Sequence, residues 1–262
     1  MEAEKSDSMT ALRPSLVFLA ASLLCGSGVV SAGSALMSTD GVYESNAQKA
    51  GVLGHTVTTA SLAQINSMTQ EMLAEYDMVF ISPGFGSIGY DNLRSAVVDG
   101  GSLQLYVATG GTLVLNAAGN YGDQDDIAPD GISFDREPMH NSESIMSGSH
   151  PYITGVGYSG HTLGTADFAN WYETDQGQLT NLAPGTTTIL ANLDGPSLVE
   201  YAHGNGTVLV STLTVGWGEG GEARGTAQDN MINYAVAVPE PTSICLLALW
   251  AAAILTRQRR LR

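Results

Sequence analysis

The chain has 262 residues and a formal net charge of −16, with only 14% of its residues charged and two cysteines. So acidic a surface repels nucleic acid and anionic lipid, which excludes nucleic acid as a partner. Cys25 and Cys245 both lie in apolar terminal stretches, so residues 33–237 contain no thiol and can have neither a disulfide nor a cysteine nucleophile.

Both ends read as targeting segments. Arg13 precedes an apolar run over 16–24, and Val30-Ser31-Ala32 offers a signal-peptidase step, with Gly33-Ser34-Ala35 as a second. The true start is Met1 or Met9, since residues 1–8 add three acids and one lysine that a signal peptide does not need. At the other end Val238, Pro239, Glu240 and Pro241 precede an uncharged stretch over 244–255, then Arg257, Arg259, Arg260 and Arg262. As a helix that stretch rises about 18 Å, whereas a bilayer core of about 30 Å wants about 20 residues. Such a segment suits transient retention better than permanent residence, and the prolines keep its boundary extended and accessible. The order of Pro-Glu-Pro, short apolar helix and basic stop resembles the PEP-CTERM sorting signal of Gram-negative bacteria. The resemblance implies recognition by an exosortase-type membrane enzyme, cleavage near Pro239–Pro241, and a link to exopolysaccharide or biofilm production. The expected organisation is a signal peptide over 1–32, an exported domain over 33–237 and a sorting signal over 238–262. Of the 26 acids, Glu2, Glu4, Asp7 and Glu240 lie outside the domain, leaving 22 against Lys49, Arg94, Arg136 and Arg224, a net charge of −18.

Along the domain, residues 35–38 form a short apolar run, and 43–53 fit a helix stopped by Gly54. Residues 55–59 are rich in β-branched side chains, 67–74 fit a helix, and 76–82 read as a buried strand running into Pro83-Gly84. A helical segment over 91–108 is broken at Gly100-Gly101, and 112–115 is another buried strand. Strands alternating with helices imply right-handed βαβ units and a parallel sheet covered on both faces. The expected fold is therefore α/β, a three-layer sandwich with a mostly parallel central sheet. Residues 117–150 are polar, glycine-bearing and acidic, and read as an insertion or long functional loop. Segments 186–191, 197–202 and 207–213 then read as strands. His203-Gly204-Asn205-Gly206 turns the last two into a hairpin extension, and 226–236 reads as a closing helix.

Four stretches in order, YDMVFISPG over 76–84, YVATGGTLVL over 106–115, SHPYITG over 149–155 and EYAHGNGTV over 200–208, resemble class I glutamine-amidotransferase-like domains of the trehalose-utilisation type. The resemblance covers about residues 35–236. It implies a flavodoxin-like sheet and, in catalytic members, a cysteine on a tight turn after the strand matching 112–115. Here that turn reads Asn116-Ala117-Ala118-Gly119-Asn120, so the thiol reaction is excluded. The turn Pro83-Gly84-Phe85-Gly86 resembles the place of an oxyanion site, yet without a nucleophile it reads as a strand-to-helix turn. No Gly-x-Ser-x-Gly elbow follows a buried strand, His203 reads as a solvated turn residue and His150 as part of a chain reversal. No catalytic residue is assigned.

Two candidate sites follow. Asp123, Asp125, Asp126 and Asp130, with Asp135 and Glu137 beyond, lie just after the strand ending at 115, and carboxyl ends of strands are where open α/β sheets bind ligands. Hard oxygen donors at close spacing suit calcium, although the Asp-x-Asp-x-Asp-Gly loop is absent and a solvated acidic loop is the alternative. Trp217, between Gly216 and Gly218, offers with Asn116 and Asn120 a platform for sugar rings, while Trp171 reads as core. The expected role is an exported envelope or extracellular-matrix protein that binds or scaffolds rather than catalyses. Its expected partners are an exosortase-type enzyme and extracellular polysaccharide, with no cofactor beyond candidate calcium. The alternative is an extracellular hydrolase of carbohydrate or amide bonds using non-thiol chemistry.

Overall fold

The structure, a computed structural model, describes residues 32–39, 45–82, 87–118, 122–136, 139–169, 171, 173–216 and 222–238. In chain order its elements are β1 Ser34–Ser38, α1 Ser45–Val52, β2 Thr56–Ala60, α2 Leu62–Asn66, α3 Gln70–Leu73, β3 Met78–Ile81, α4 Ser87–Val97, α5 Ser102–Ala108 and β4 Thr112–Asn116. There follow β5 Ser133–Asp135, β6 Ser144–Ile145, α6 Pro151–Thr154, β7 Gln178–Thr180, β8 Thr187–Ala191, β9 Pro196–His203, β10 Gly206–Ser211 and α7 Glu222–Ala237.

Eight strands form one sheet in the order β2-β1-β3-β4-β10-β9-β8-β6, and β5 pairs with β7 apart from it. The five strands from β2 to β10 run parallel, while β9, β8 and β6 continue the sheet antiparallel. Alternation along the strands sorts side chains onto two faces. Leu36, Val79, Ile81, Leu113, Leu115, Val208 and Val210 meet Leu62, Ile65, Leu73, Leu93 and Tyr106 of α2–α5 on one side. Ala35, Met37, Met78, Phe80, Val114 and Leu209 meet Ala50 of α1, Tyr152 of α6, and Ala227, Met231 and Ile232 of α7 on the other. A strand buried on both faces has no polar side to show, which is why β3 and β4 read as continuous apolar runs. The α/β three-layer sandwich expected from the sequence is the observed architecture.

Local chemistry refines the expected boundaries. The helix anticipated over 67–74 is the shorter α3, and an unanticipated helix, α2, precedes it. Ser61 and Gln64 form a capping box that starts α2, and Ser67 turns its backbone N–H and hydroxyl back onto the Gln64 carbonyl to end it. Thr69 then caps α3. The break between α4 and α5 falls at Gly100-Gly101, where a Cβ on Gly101 would overlap the Ala96 carbonyl. Residues 117–150, expected as loop, carry β5 and the two-residue β6. Gly206 pairs with His203 across the expected hairpin, leaving Gly204 and Asn205 as its turn.

Among the described residues no helix is long and apolar enough to cross a membrane. Residues 1–31 of the expected leader, Pro239, Glu240, Pro241, the apolar stretch and Arg257, Arg259 and Arg260 lie outside the described residues.

Candidate functional site

The parallel strands end their carboxyl edge at Ile81, Asn116 and Ser211, and the chain beyond β4 and β10 stays buried. Asn116 is fully enclosed, and its Nδ2 donates to the Val215 carbonyl at 3.4 Å. Ala117 N–H donates to the Ser211 carbonyl at 2.7 Å, and the Tyr90 hydroxyl to the Ala117 carbonyl at 2.6 Å. The turn where the resemblance implies a nucleophile therefore presents Asn116, Ala117 and Ala118, all buried, as the described residues. Asn120 and Trp217, expected beside Asn116, lie outside the described residues, as does Pro83-Gly84-Phe85-Gly86. Trp171 is buried and packs on Phe168, as expected of a core residue.

Beyond the end of β10, Thr212–Thr214 hold residues 173–177 as a strap. Gln176 N–H donates to the Thr212 carbonyl at 3.1 Å, Thr214 N–H to the Thr174 carbonyl at 2.9 Å, and Thr174 N–H to the His140 carbonyl at 2.7 Å. The Thr214 hydroxyl donates to the Glu173 carbonyl, and that of Thr212 to the Gly177 carbonyl at 2.9 Å. These contacts carry Asp175, with no exposed surface, into a cluster with Glu143, His140 and Ser197. Ser197, the second residue of β9, donates its hydroxyl to Glu143 Oε2. Carboxylate oxygens face both nitrogens of His140, Asp175 Oδ1 at 3.1 Å from Nδ1 and Asp194 Oδ2 at 2.8 Å from Nε2.

Burial pushes the Glu143 carboxyl up to about 10, helped by its hydrogen bond to Asp175 and the charge there, while the Ser197 hydroxyl pulls the other way. Two carboxyl groups enclosed together cannot both ionise cheaply, so Glu143 keeps its proton at neutral pH. That proton also resolves an apparent deficit. Among the described residues Glu143 Oε1 and Asp175 Oδ2 meet no N–H or O–H donor from elsewhere, and a carboxylic acid hydrogen-bonded to its neighbour's carboxyl oxygen would satisfy both. The arrangement clamps the segment around residues 140–143 to the strap and to β9. It is not a nucleophilic triad, because Nε2 of His140 faces a carboxylate and the nearby hydroxyl serves Glu143.

The acidic residues expected to gather around calcium are engaged separately. Asp126 pairs with Arg94 at 2.7 Å, Asp130 with His203 Nδ1 at 2.8 Å, and Asp123 Oδ1 accepts the Arg136 N–H at 2.8 Å. Asp125 is exposed and joins none of these contacts. Among the described residues no group of three or more His, Cys, Asp or Glu is placed to hold a metal ion. His203, expected to be solvated, instead ties the β9–β10 hairpin to the acidic segment. His150 caps α6 by accepting the Tyr152 N–H, and Gly155 ends it, the chain reversal expected there. Sequence reasoning missed Glu143, Asp175 and Ser197. The run Ser211-Thr212-Leu213-Thr214, polar where a buried strand should be apolar, was the available signal that a polar partner lies opposite.

No family model and no curated protein matches the chain. Among solved structures, a cytoplasmic protein of Salmonella typhimurium superposes with a TM-score of 0.51 at 13% identity, over 79% of this chain and 99% of its own. A second cytoplasmic protein, from S. typhimurium LT2, gives 0.49 at 14% identity over 77% and 99%. A Thermoplasma acidophilum protein assigned as a GMP synthase subunit gives 0.48 at 11% over 78% and 96%. The first of these supports the α/β fold and speaks to fold alone.

Proposed function

We propose that this chain is an exported binding or scaffolding protein of the cell envelope or extracellular matrix, built on a glutamine-amidotransferase-like domain without the thiol and delivered through its C-terminal sorting signal. The observation that carries this is the placement of the two ends of the domain. Gly33 lies against Val236, so the leader and the Pro-Glu-Pro tail join the domain side by side at the amino ends of the parallel strands. Asn116 and the polar cluster stand at the opposite edge. While the tail still retains it, a domain held from that pole turns its strand carboxyl ends away from the membrane, toward polysaccharide or another matrix partner.

The hydrolase alternative would call on His140 with Asp175 behind it, yet the group in front of its Nε2 is Asp194 rather than a hydroxyl. The cluster suits holding a segment in place better than attacking a bond.

Intact-mass analysis of the protein from its native host tests this role. The expected mass lacks the leader and ends near Pro239–Pro241; a mass retaining residues 1–32 and 242–262 overturns the sorting route. For ligand binding, retention of the purified protein on bacterial polysaccharides is expected to fall in Trp217→Ala, and equal behaviour on every polysaccharide tried counts against a sugar platform.

A further inference from the structure

The sequence offers two places for leader cleavage, after Ala32 or after Ala35, and the fold distinguishes them. Gly33 is buried before any strand begins. Its carbonyl accepts the Thr56 N–H at 2.9 Å, and its N–H donates to His55 Nδ1 at 3.3 Å. Nε2 of His55 stands 2.9 Å from Asn233 Oδ1, so α7 fixes the ring with Nε2 donating and Nδ1 accepting. A Cβ on residue 33 would overlap Val236 Cγ1 and stand 3.1 Å from Asp77 Oδ2, so a side chain there would have to displace Val236. The same Asp77 oxygen accepts the Ser34 N–H at 2.7 Å and the Ser34 hydroxyl at 2.9 Å, and the Asp77 N–H returns to the Ser34 carbonyl at 2.9 Å. Cleavage after Ala35 would discard all of this and the first two residues of β1, which pair with Thr56 and Val57. Ala32, by contrast, is exposed.

We propose that the leader is cut between Ala32 and Gly33 and that His55 and Asp77 form a receptor for the new amino terminus, the ring accepting one of its protons and the carboxylate facing its charge. This rests on the export route above and adds a structural reason for the cut at 32 and the side chains that receive its product. Cutting a peptide bond at residue 32 turns one N–H into an ammonium with three donors, and an α-amine is charged below about pH 8. A fixed imidazole acceptor and a carboxylate beside Gly33 are what such a group needs. The tail leaves α7 past Val236, which packs on the same glycine, so the seating of the new terminus also fixes the base of the sorting signal.

Amino-terminal sequencing of the full chain, produced with its own leader in a Gram-negative host and recovered after export, is the test. Gly33 is the expected first residue. An exported protein starting at Leu36 or elsewhere overturns this inference and leaves export standing, whereas an uncut chain overturns both. The role of Asp77 is read separately from its contacts with Ser34. Asp77→Asn is expected to lower the melting temperature of the exported protein more at pH 7 than at pH 9.5, because only at the lower pH does an ammonium face it. Equal drops at the two pH values overturn the receptor for a charged terminus even where Gly33 is found first. Besides Asp77, the titratable group facing the amine is His55, present in both proteins, so its contribution cancels in the comparison.

Discussion

The parallel half of the sheet and the polar strap beyond its carboxyl edge are both buried, but opposite physics holds them. From β1 to β4 the enclosed surface is aliphatic and aromatic, sorted onto two faces by strand alternation, and its stabilisation is non-directional. Around residues 140–143, 173–177, 197, 212 and 214 the enclosed groups are mainly hydroxyls, amides and carboxyls, whose burial is costly where a partner is lost. The first region tolerates changes that preserve volume; the second tolerates changes that preserve hydrogen bonding. The strap has no apolar core of its own to fall back on, so losing one partner should loosen it locally while the sheet persists.

The largest expected effect is in the apolar half. Phe80→Ala removes a ring enclosed between β3 and the α7 side and should cost about 4 kcal/mol, read as a lower urea midpoint with the global transition intact. Asp175→Ala should cost about 2 kcal/mol, since Glu143 and His140 both lose an acceptor. Its signature is faster amide exchange at 140–146 and 173–177, with protection retained over 78–81 and 112–116. Exchange that rises equally in both regions would erase the distinction drawn above.

Glu143 gives a pH-dependent version of the same contrast. Its carboxyl sits at about 10 in the folded protein against 4.5 in an ordinary environment, so between those values the folded state holds a proton that the unfolded chain releases. That contribution to stability is full below the unfolded value and is lost as pH rises toward the folded one. The wild-type melting temperature should therefore fall from pH 5 to pH 9 more steeply than that of Glu143→Gln, which keeps a neutral donor in place. Parallel curves would mean that Glu143 is not protonated in the cluster.

The smallest effects belong to the acidic segment. Arg94→Ala removes a largely exposed pair with Asp126 and should cost below about 1 kcal/mol. Millimolar calcium should move the melting temperature little, because Asp123, Asp126 and Asp130 already serve three different partners. A rise of several degrees would show that they regroup around the ion.

The two regions also differ in how far the sequence disclosed them. The buried run Met78–Ile81, the strand at Thr112–Asn116 and the helix break at Gly100-Gly101 were all legible, because strand burial, helical period and glycine geometry act over a few neighbouring residues. The clamp was not. Glu143 finds Ser197 across 54 residues and His140 finds Asp175 across 35, and no local pattern marks a carboxyl that will meet another carboxyl. Of the candidate ligand platform the structure describes only Asn116, at the buried end of β4.

By itself the sequence determined the α/β architecture, the absence of a thiol from the domain and the acidic character of its surface, since composition and short-range periodicity suffice for those. Only the tertiary structure decided that the acidic residues disperse onto separate partners, that Glu143 is enclosed against Asp175, and that Gly33 meets His55, Asp77 and Val236 at one pole. Each of those depends on distant segments being brought within hydrogen-bonding distance, and long-range contact is what the packed sheet supplies and linear spacing does not.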